Sequence, residues 1–278
     1  MYLLFIRTTI LYFGMIALGI FLFQPFGIMV QINGGMLSPL SIQALPFALI
    51  LLIVIAWLLF AAAIATLFAV KINNKIVEIY TQKCDPYEYI VRYEKVLKRP
   101  LGNMRTFVLL NLSSGYLAIG DLQKTMQIFN SNLEFKKNRA GILNKVFYFN
   151  NSCVYCLQGC DIANAEIMLE HMLEGLNHEK FPKQQYDYYY NRYIEKQYVL
   201  NMLKGNYTGA EEVFSIQFNR EKTKLGKVTA KYHLGRVYLH LNKLDAAVAA
   251  FEYVVSNGNK TYYVGKSLEF LNQCKAGE

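Results

Sequence analysis

The segment YLAIGDLQKTMQIF at residues 116–129 recurs in altered form as YLHLNKLDAAVAAF at residues 238–251. Two weaker copies lie between them: YCLQGCDIANAEIML at residues 155–169, with one extra residue, and NMLKGNYTGAEEVF at residues 201–214. Each copy has an apolar stretch, a turn residue and then an amphipathic stretch with helical spacing. The pattern predicts four consecutive helical hairpins.

Two kinds of position in these copies suit a packed helical hairpin. Gly and Asn tolerate the left-handed conformation that ends a helix, so we expect turns at Gly120, Gly159, Gly205 and Asn242. Small residues let the two helices approach closely, and we expect them at Thr125, Ala165, Ala210 and Ala247. One hairpin cannot bury its apolar face alone, so hairpins stack side by side. The predicted fold class is all-α, with an α-solenoid of about four repeats.

These copies resemble the tetratricopeptide repeat, whose pattern runs Trp-x2-Leu-Gly-x2-Tyr, then Ala, Phe and Pro. The fourth copy carries the most matches, which are Leu234, Gly235, Tyr238, Ala247 and Phe251. The opening Trp and the closing Pro are missing, and the small positions lie 40, 45 and 37 residues apart against about 34 in the family. The resemblance covers residues 101–278 and implies non-catalytic protein binding. A generic solenoid of helical hairpins is the alternative.

In the tetratricopeptide family the first helices line a concave groove that holds an extended peptide or a partner helix. Carried over residue by residue, the resemblance implies groove residues Phe107, Leu110, Ser114, Leu117, Val146, Phe149, Cys153, Cys156, Leu157, Tyr232, Arg236 and His240. It further implies Arg192, Glu195, Val199 and Met202 in the third copy and Thr229 in the fourth. The alternative is that the helix preceding the repeats buries several apolar members of this set. Leu110 and Ser114 are not the Lys, Asn or Arg with which some family members clamp a chaperone's carboxylate tail, so we do not expect that role.

The first seventy residues contain a single charged side chain, Arg7. Residues 44–70 form an apolar run long enough to cross a bilayer core of about 30 Å, which needs about 20 helical residues. Residues 8–30 form a less uniform second candidate. A cleaved signal peptide is the alternative for that run, but no small-x-small cleavage site follows it. We therefore predict a transmembrane helical hairpin.

Basic residues determine the predicted orientation, because Lys and Arg collect on the cytoplasmic side of short flanks. Arg7 precedes the first run, and Lys71 and Lys75 follow the second. We predict an integral, multi-pass protein of the cell membrane with cytoplasmic amino and carboxyl termini. The predicted organisation is a membrane hairpin at residues 1–72, linker and capping helices at 73–100, and the repeat domain at 101–278.

Composition also excludes several function classes. The net charge of +9 is spread along the chain, which suits the surface of an anionic leaflet, and we expect no nucleic-acid partner. The histidines lack metalloprotease spacing, and we find no phosphate-binding loop or nucleophile motif, so we expect no enzyme, cofactor or small-molecule substrate. Cys153, Cys156 and Cys160 could be a fragment of a zinc or iron–sulfur site. Packing inside a helical hairpin is the preferred interpretation, since no fourth ligand accompanies them.

The sequence thus predicts a membrane-anchored, cytoplasm-facing scaffold that binds a peptide segment or helix of a protein partner. One alternative is a structural subunit of a membrane complex, in which the transmembrane helices make the main contacts. A more distant alternative is a metal- or redox-responsive regulator that uses the three clustered cysteines.

Overall fold

The computed structural model describes residues 47–98 and 101–276. Within these ranges the regular structure is helical, with eleven α-helices and one 3-10 helix at Gly102–Met104. This confirms the predicted all-α class. The α-helices are α1 Phe47–Thr81, α2 Pro86–Leu97, α3 Arg105–Ala118, α4 Leu122–Phe129, α5 Arg139–Gln158, α6 Ile162–Leu176, α7 Lys183–Leu203, α8 Ala210–Arg220, α9 Lys224–His240, α10 Leu244–Asn257 and α11 Tyr262–Ala276.

The chain divides into two compact units, residues 1–75 and residues 76–278. In the first unit, α1 exposes large apolar side chains, which are Ile55, Leu59, Phe60, Leu67 and Val70. Counting only the described residues, no helix is both long enough and apolar enough to cross a bilayer. The predicted span at residues 8–30 lies outside the described residues and the span at 44–70 lies partly outside them, so both stay predictions.

The helices of the second unit pack against one another in chain order. α3 contacts α4, α5 contacts α6, and α9 contacts α10, as expected for antiparallel hairpins. The first helices of successive hairpins also touch, α3 against α5 and α5 against α7. This arrangement confirms the prediction of consecutive helix pairs, in which each pair shields the apolar face of its neighbour.

The four inter-helix turns of the sequence copies share one backbone geometry. One residue in each turn is left-handed, with φ of 75° at Gly120, 57° at Cys160, 83° at Gly205 and 59° at Asn242. The N–H of the next residue donates to a carbonyl five positions earlier, at 2.9 Å in every copy. This is the longer hydrogen bond of a Schellman motif, which satisfies an otherwise unpaired carbonyl at the helix end. Local sequence therefore specified three of the four turn residues.

The second turn corrects the sequence alignment by one residue. Gly159 has a φ of −83°, and Cys160 takes the left-handed position instead. The predicted turn at Gly159 is therefore present, but its left-handed residue is Cys160. Asp161 caps α6 by accepting from the N–H of Asn164 at 3.2 Å, as Asp121 caps α4. The second copy consequently begins at Cys156 and contains no extra residue.

The predicted small positions lie where hairpin helices meet. All four are fully buried at 0 % exposure, namely Thr125, Ala165, Ala210 and Ala247. On the first helices, Ser113, Cys153 and Gly235 share one repeat position and are buried. At Gly235 a Cβ atom would lie 2.6 Å from the ring of Phe251. Side-chain size at these positions therefore controls how closely the helices approach.

Candidate functional site

A cleft of about 870 Å³ lies in the second unit, on the face where α3, α5 and α7 follow one another. Apolar side chains form much of its wall, including Leu117, Phe147, Val154 and Ile216. The cleft also takes residues from the end of α1, the start of α9 and α11. It is thus bounded by the first and the last helices of this unit.

The corrected alignment explains which residues line the cleft. The equivalents of Phe107, Leu110, Ser114 and Leu117 in the second copy are Phe147, Asn150, Val154 and Leu157. Three of these, Phe147, Asn150 and Val154, line the cleft. A shift of one residue turns a helical side chain by about 100°. The sequence prediction chose Val146, Phe149 and Cys153, and so described a neighbouring face of α5.

Of the groove residues first predicted, Ser114 and Leu117 line this cleft. Leu110 is buried, and four others are buried in helix-packing clusters, namely Val146, Cys153, Cys156 and Tyr232. Phe107, Phe149 and Leu157 pack partly buried against those clusters. Arg236 is half-buried, and exposed His240 stacks on Tyr207 with ring centroids 3.8 Å apart. The repeat helices themselves bury Val146, Cys153, Cys156 and Tyr232, so burial by the helix that precedes the repeats and a partner groove at these residues both stay predictions.

The third copy supplies a buried ionic cluster in the wall of the cleft. Arg192 bonds Glu195 at 2.7 Å and Glu221 at 2.6 Å, so one guanidinium joins two carboxylates. Gln217 of α8 donates to the same Glu195 oxygen at 2.8 Å. Lys196 is almost fully buried and donates to the carbonyl of Arg192 at 3.3 Å. The predicted third-copy residues Arg192 and Glu195 therefore do line the cleft, whereas Val199 and Met202 are buried in helix packing.

The cluster alters the proton affinity of its members. Burial alone would raise the pKa of Glu195, but Lys196 and Arg192 bring that pKa down to about 2. Burial lowers the pKa of Lys196, an effect that Glu195 opposes. Burial also lowers the pKa of His233, on α9, to about 3. Glu195 is therefore a carboxylate and His233 a neutral imidazole at neutral pH.

Two amide side chains present hydrogen-bond acceptors at the cleft wall. The amide nitrogen of Gln158 donates to the carbonyl of Leu117 at 3.0 Å, and that of Gln217 donates to Glu195. Because these partners only accept, the orientation of both amides is determined. Their Oε1 atoms are buried and, within the described residues, have no hydrogen-bond partner. The wall thus has polar atoms that a bound group or water would satisfy.

Two of the three clustered cysteines, Cys153 and Cys156, belong to a buried apolar cluster. Cys153 and Cys156 are buried between α5 and α6, and burial raises the pKa of their thiols to about 12 and about 11. Cys160 is exposed in the turn. Among the residues that the structure describes, no group of three His, Cys, Asp or Glu side chains could hold a metal ion. The two buried thiols therefore stay protonated packing groups at neutral pH.

Several residues that line the cleft were not predicted from the sequence, including Asn150, Gln158, Tyr188 and Gln217. A signal for two of them was available, because Asn150 and Gln158 are polar and eight positions apart, a spacing that places both on one face of the helix. Gln217 had no such signal, since it reaches Glu195 across a turn. The chain matches no protein-family model, no curated protein and no solved structure.

Proposed function

We propose that this protein is a membrane-anchored scaffold whose helical-repeat domain faces the cytoplasm and binds a protein partner without catalysis. The observation that carries the proposal is the cleft of about 870 Å³, in which apolar, amide and ionic side chains of successive helices converge. Clefts of this size hold ligands by apolar contact, with a few polar groups that determine orientation. A peptide segment, with its apolar side chains and polar main chain, suits such a wall.

We further propose that the repeats are tetratricopeptide-like. Three features support this interpretation: helix pairs that pack in chain order, one shared turn geometry, and fully buried small residues at the expected position. Stacked repeats of this kind form extended concave surfaces that bind partners. Binding rather than catalysis is thus the use that we propose for the cleft.

The membrane anchor is part of the proposal. The apolar run at residues 44–70 supports it, as do the exposed side chains of Leu59 and Leu67 on α1, because lipid covers such groups at little cost. A reporter that is active only in the cytoplasm, fused after Glu278, should be active. Activity of a reporter that works only outside the cell membrane would contradict the proposed topology.

The same exposed residues favour a second candidate, a structural subunit whose transmembrane helices contact other membrane proteins. In that case the cleft would contribute nothing to partner binding. The two candidates therefore predict different results when the cleft alone is altered.

A matched pair of variants separates them. Ile216 is exposed and lines the cleft, whereas Ile167 is equally exposed on α6 and lies outside the cleft. After crosslinking in native membranes, the scaffold proposal expects the partner to be recovered with Ile167→Glu and lost, by at least tenfold, with Ile216→Glu. Equal recovery with both variants would favour the structural-subunit candidate. No recovered partner with the unaltered protein would contradict the scaffold proposal.

A further inference from the structure

Residues 80–85 run from the last turn of α1 to the start of α2, and the first two of them, Tyr80 and Thr81, form part of the cleft wall. Tyr80 lines the cleft and stacks on Tyr89 with ring centroids 4.7 Å apart. Its hydroxyl donates to the carbonyl of Ser114 at 3.5 Å, a long hydrogen bond. An aromatic side chain from outside the hairpin repeats therefore covers one wall.

Polar contacts connect the same segment to residues near the end of the chain. They join positions 142 to 176 residues apart in sequence. Their distances are 3.1–3.3 Å, and the pairs are Gln82 with Lys224, Lys83 with Asn259, and Asp85 with Lys260. The groups involved are exposed to water, and exposed ion pairs stabilise proteins little. The segment thus links the first hairpin to the last by individually weak contacts.

Cys84 is the buried anchor of this segment. Its side chain is fully buried and packs with Val228, Tyr232 and Phe251. Its backbone is left-handed, with a φ of 52°, a conformation that costs a non-glycine residue energy. The buried Cys84 side chain and the stacked ring of Tyr80 therefore make the apolar attachment of the segment.

We propose that residues 80–85 form a latch, which closes one side of the cleft in the free protein and is displaced when a partner segment enters. This inference rests on the proposed function, because it takes the cleft as the docking site. Segments held by few buried contacts open locally, without global unfolding. A partner segment with an aromatic side chain that packs on Tyr89 would replace the stacking that Tyr80 loses.

Thiol labelling tests the latch in the full-length protein without any partner. N-ethylmaleimide modification is followed separately at each cysteine by mass spectrometry of peptides. Cys160 is exposed, so its rate shows how fast the reagent modifies an accessible thiol. Cys153 is buried between α5 and α6, so its rate reports global unfolding. We expect Cys84 to react at least tenfold faster than Cys153 and more slowly than Cys160. Equal rates at Cys84 and Cys153 would overturn the latch.

A charge-reversal pair sharpens the experiment. Lys260→Glu places a carboxylate beside Asp85, and we expect at least threefold faster labelling of Cys84 with no change at Cys153. Lys243→Glu is the matched control, because Lys243 forms an exposed ion pair with Glu211 away from the latch. That control should leave the Cys84 rate unchanged. Equal acceleration by both variants would contradict a specific latch contact.

The crosslinked partner complex tests displacement itself. We expect Cys84 to react at least threefold faster in the complex than in the free protein, because the partner takes the place of the latch. An unchanged or slower rate would show that the partner binds without displacing residues 80–85, and would overturn the inference while leaving the scaffold proposal intact. Faster labelling of Cys84 than of Cys153 with no recoverable partner would retain the local opening of residues 80–85 and overturn the proposed function.

Discussion

The α5–α6 pair and the α7–α8 pair differ in the groups that hold their helices together. Between α5 and α6 the chain buries Val146, Cys153, Ala165 and Met172, each at 0 % exposure. Between α7 and α8 the chain also buries apolar side chains such as Phe214, but here Glu195 in addition accepts from Gln217 and forms an ion pair with Arg192. The first pair gains stability from apolar area removed from water, about 25 cal/mol per Å².

The ionic pair depends on complete pairing instead. Taking charges out of water is costly, and their mutual attraction offsets that cost only while each charge keeps its partners. We therefore expect the α7–α8 region to respond to single polar substitutions and to pH, and the α5–α6 region to respond to lost side-chain volume. Four predictions test this difference.

The largest effect is expected for Glu195→Ala. This substitution leaves Lys196 buried without its neighbouring carboxylate and reduces Arg192 to one acidic partner, Glu221. Breaking a buried ion pair in this way costs about 3–5 kcal/mol, to be measured by denaturant unfolding. The double variant Arg192→Met/Glu195→Leu should be more stable than Glu195→Ala. A loss below about 1 kcal/mol for the single variant would contradict the importance of pairing.

Met172→Ala makes the corresponding test in the apolar pair. Met172 is fully buried in the cluster between α5 and α6, so the truncation leaves a cavity and should cost about 2–5 kcal/mol. Because no charge is involved, the loss should be the same at pH 7 and pH 5. Met126, which is exposed on α4, provides the control, and Met126→Ala should change the unfolding free energy by less than about 0.5 kcal/mol.

The pH dependence of the unfolding free energy should follow the protonation of His233. Its folded-state pKa of about 3 lies below the ordinary value of 6.5, so below pH 6.5 the unfolded chain binds a proton that the folded chain excludes. Stability is therefore fully present above pH 6.5 and falls toward pH 3, by about 1.4 kcal/mol per pH unit. Glu195 adds to this fall below about pH 4.5, because its folded pKa is also depressed.

His233→Phe should flatten the unfolding free energy between pH 6.5 and 4.5, since it removes the titrating group and keeps an aromatic ring against Phe214. Exposed His178 is the control, and His178→Asn should retain the slope. An unaltered slope in His233→Phe would assign the pH dependence to other groups.

The smallest change in stability is expected for substitutions in the turns of the two helix pairs. Cys160 and Gly205 occupy the same left-handed position, and Gly adopts that conformation with no Cβ penalty. Cys160→Gly should stabilise the protein and Gly205→Ala should destabilise it, each by about 1 kcal/mol, measured by thermal unfolding. Gly159→Ala should be harmless, because Gly159 has a negative φ and a Cβ there would lie at ordinary contact distance, 3.5 Å. A destabilising Gly159→Ala would contradict the corrected alignment.

Much of the repeat architecture could be predicted because the information is local. Turn residues, small positions and helical periodicity recur within each copy of about 14 residues, and the structure contains the expected helix pairs. The candidate site was harder to predict. In α5, a shift of one residue decided whether Cys153 or Val154 lined the cleft, and both residues are compatible with the apolar pattern of this helix.

The sequence by itself determined an all-α chain of consecutive hairpins, with an apolar amino-terminal region nearly free of charge. Only the tertiary structure decided that residues 80–85 meet residues 224–263, and that Arg192 joins Glu195 to Glu221. The physical reason is the distance along the chain over which each interaction acts. Helical periodicity and turn chemistry act between neighbouring residues, whereas the latch and the ionic cluster exist only after distant helices have packed around the cleft.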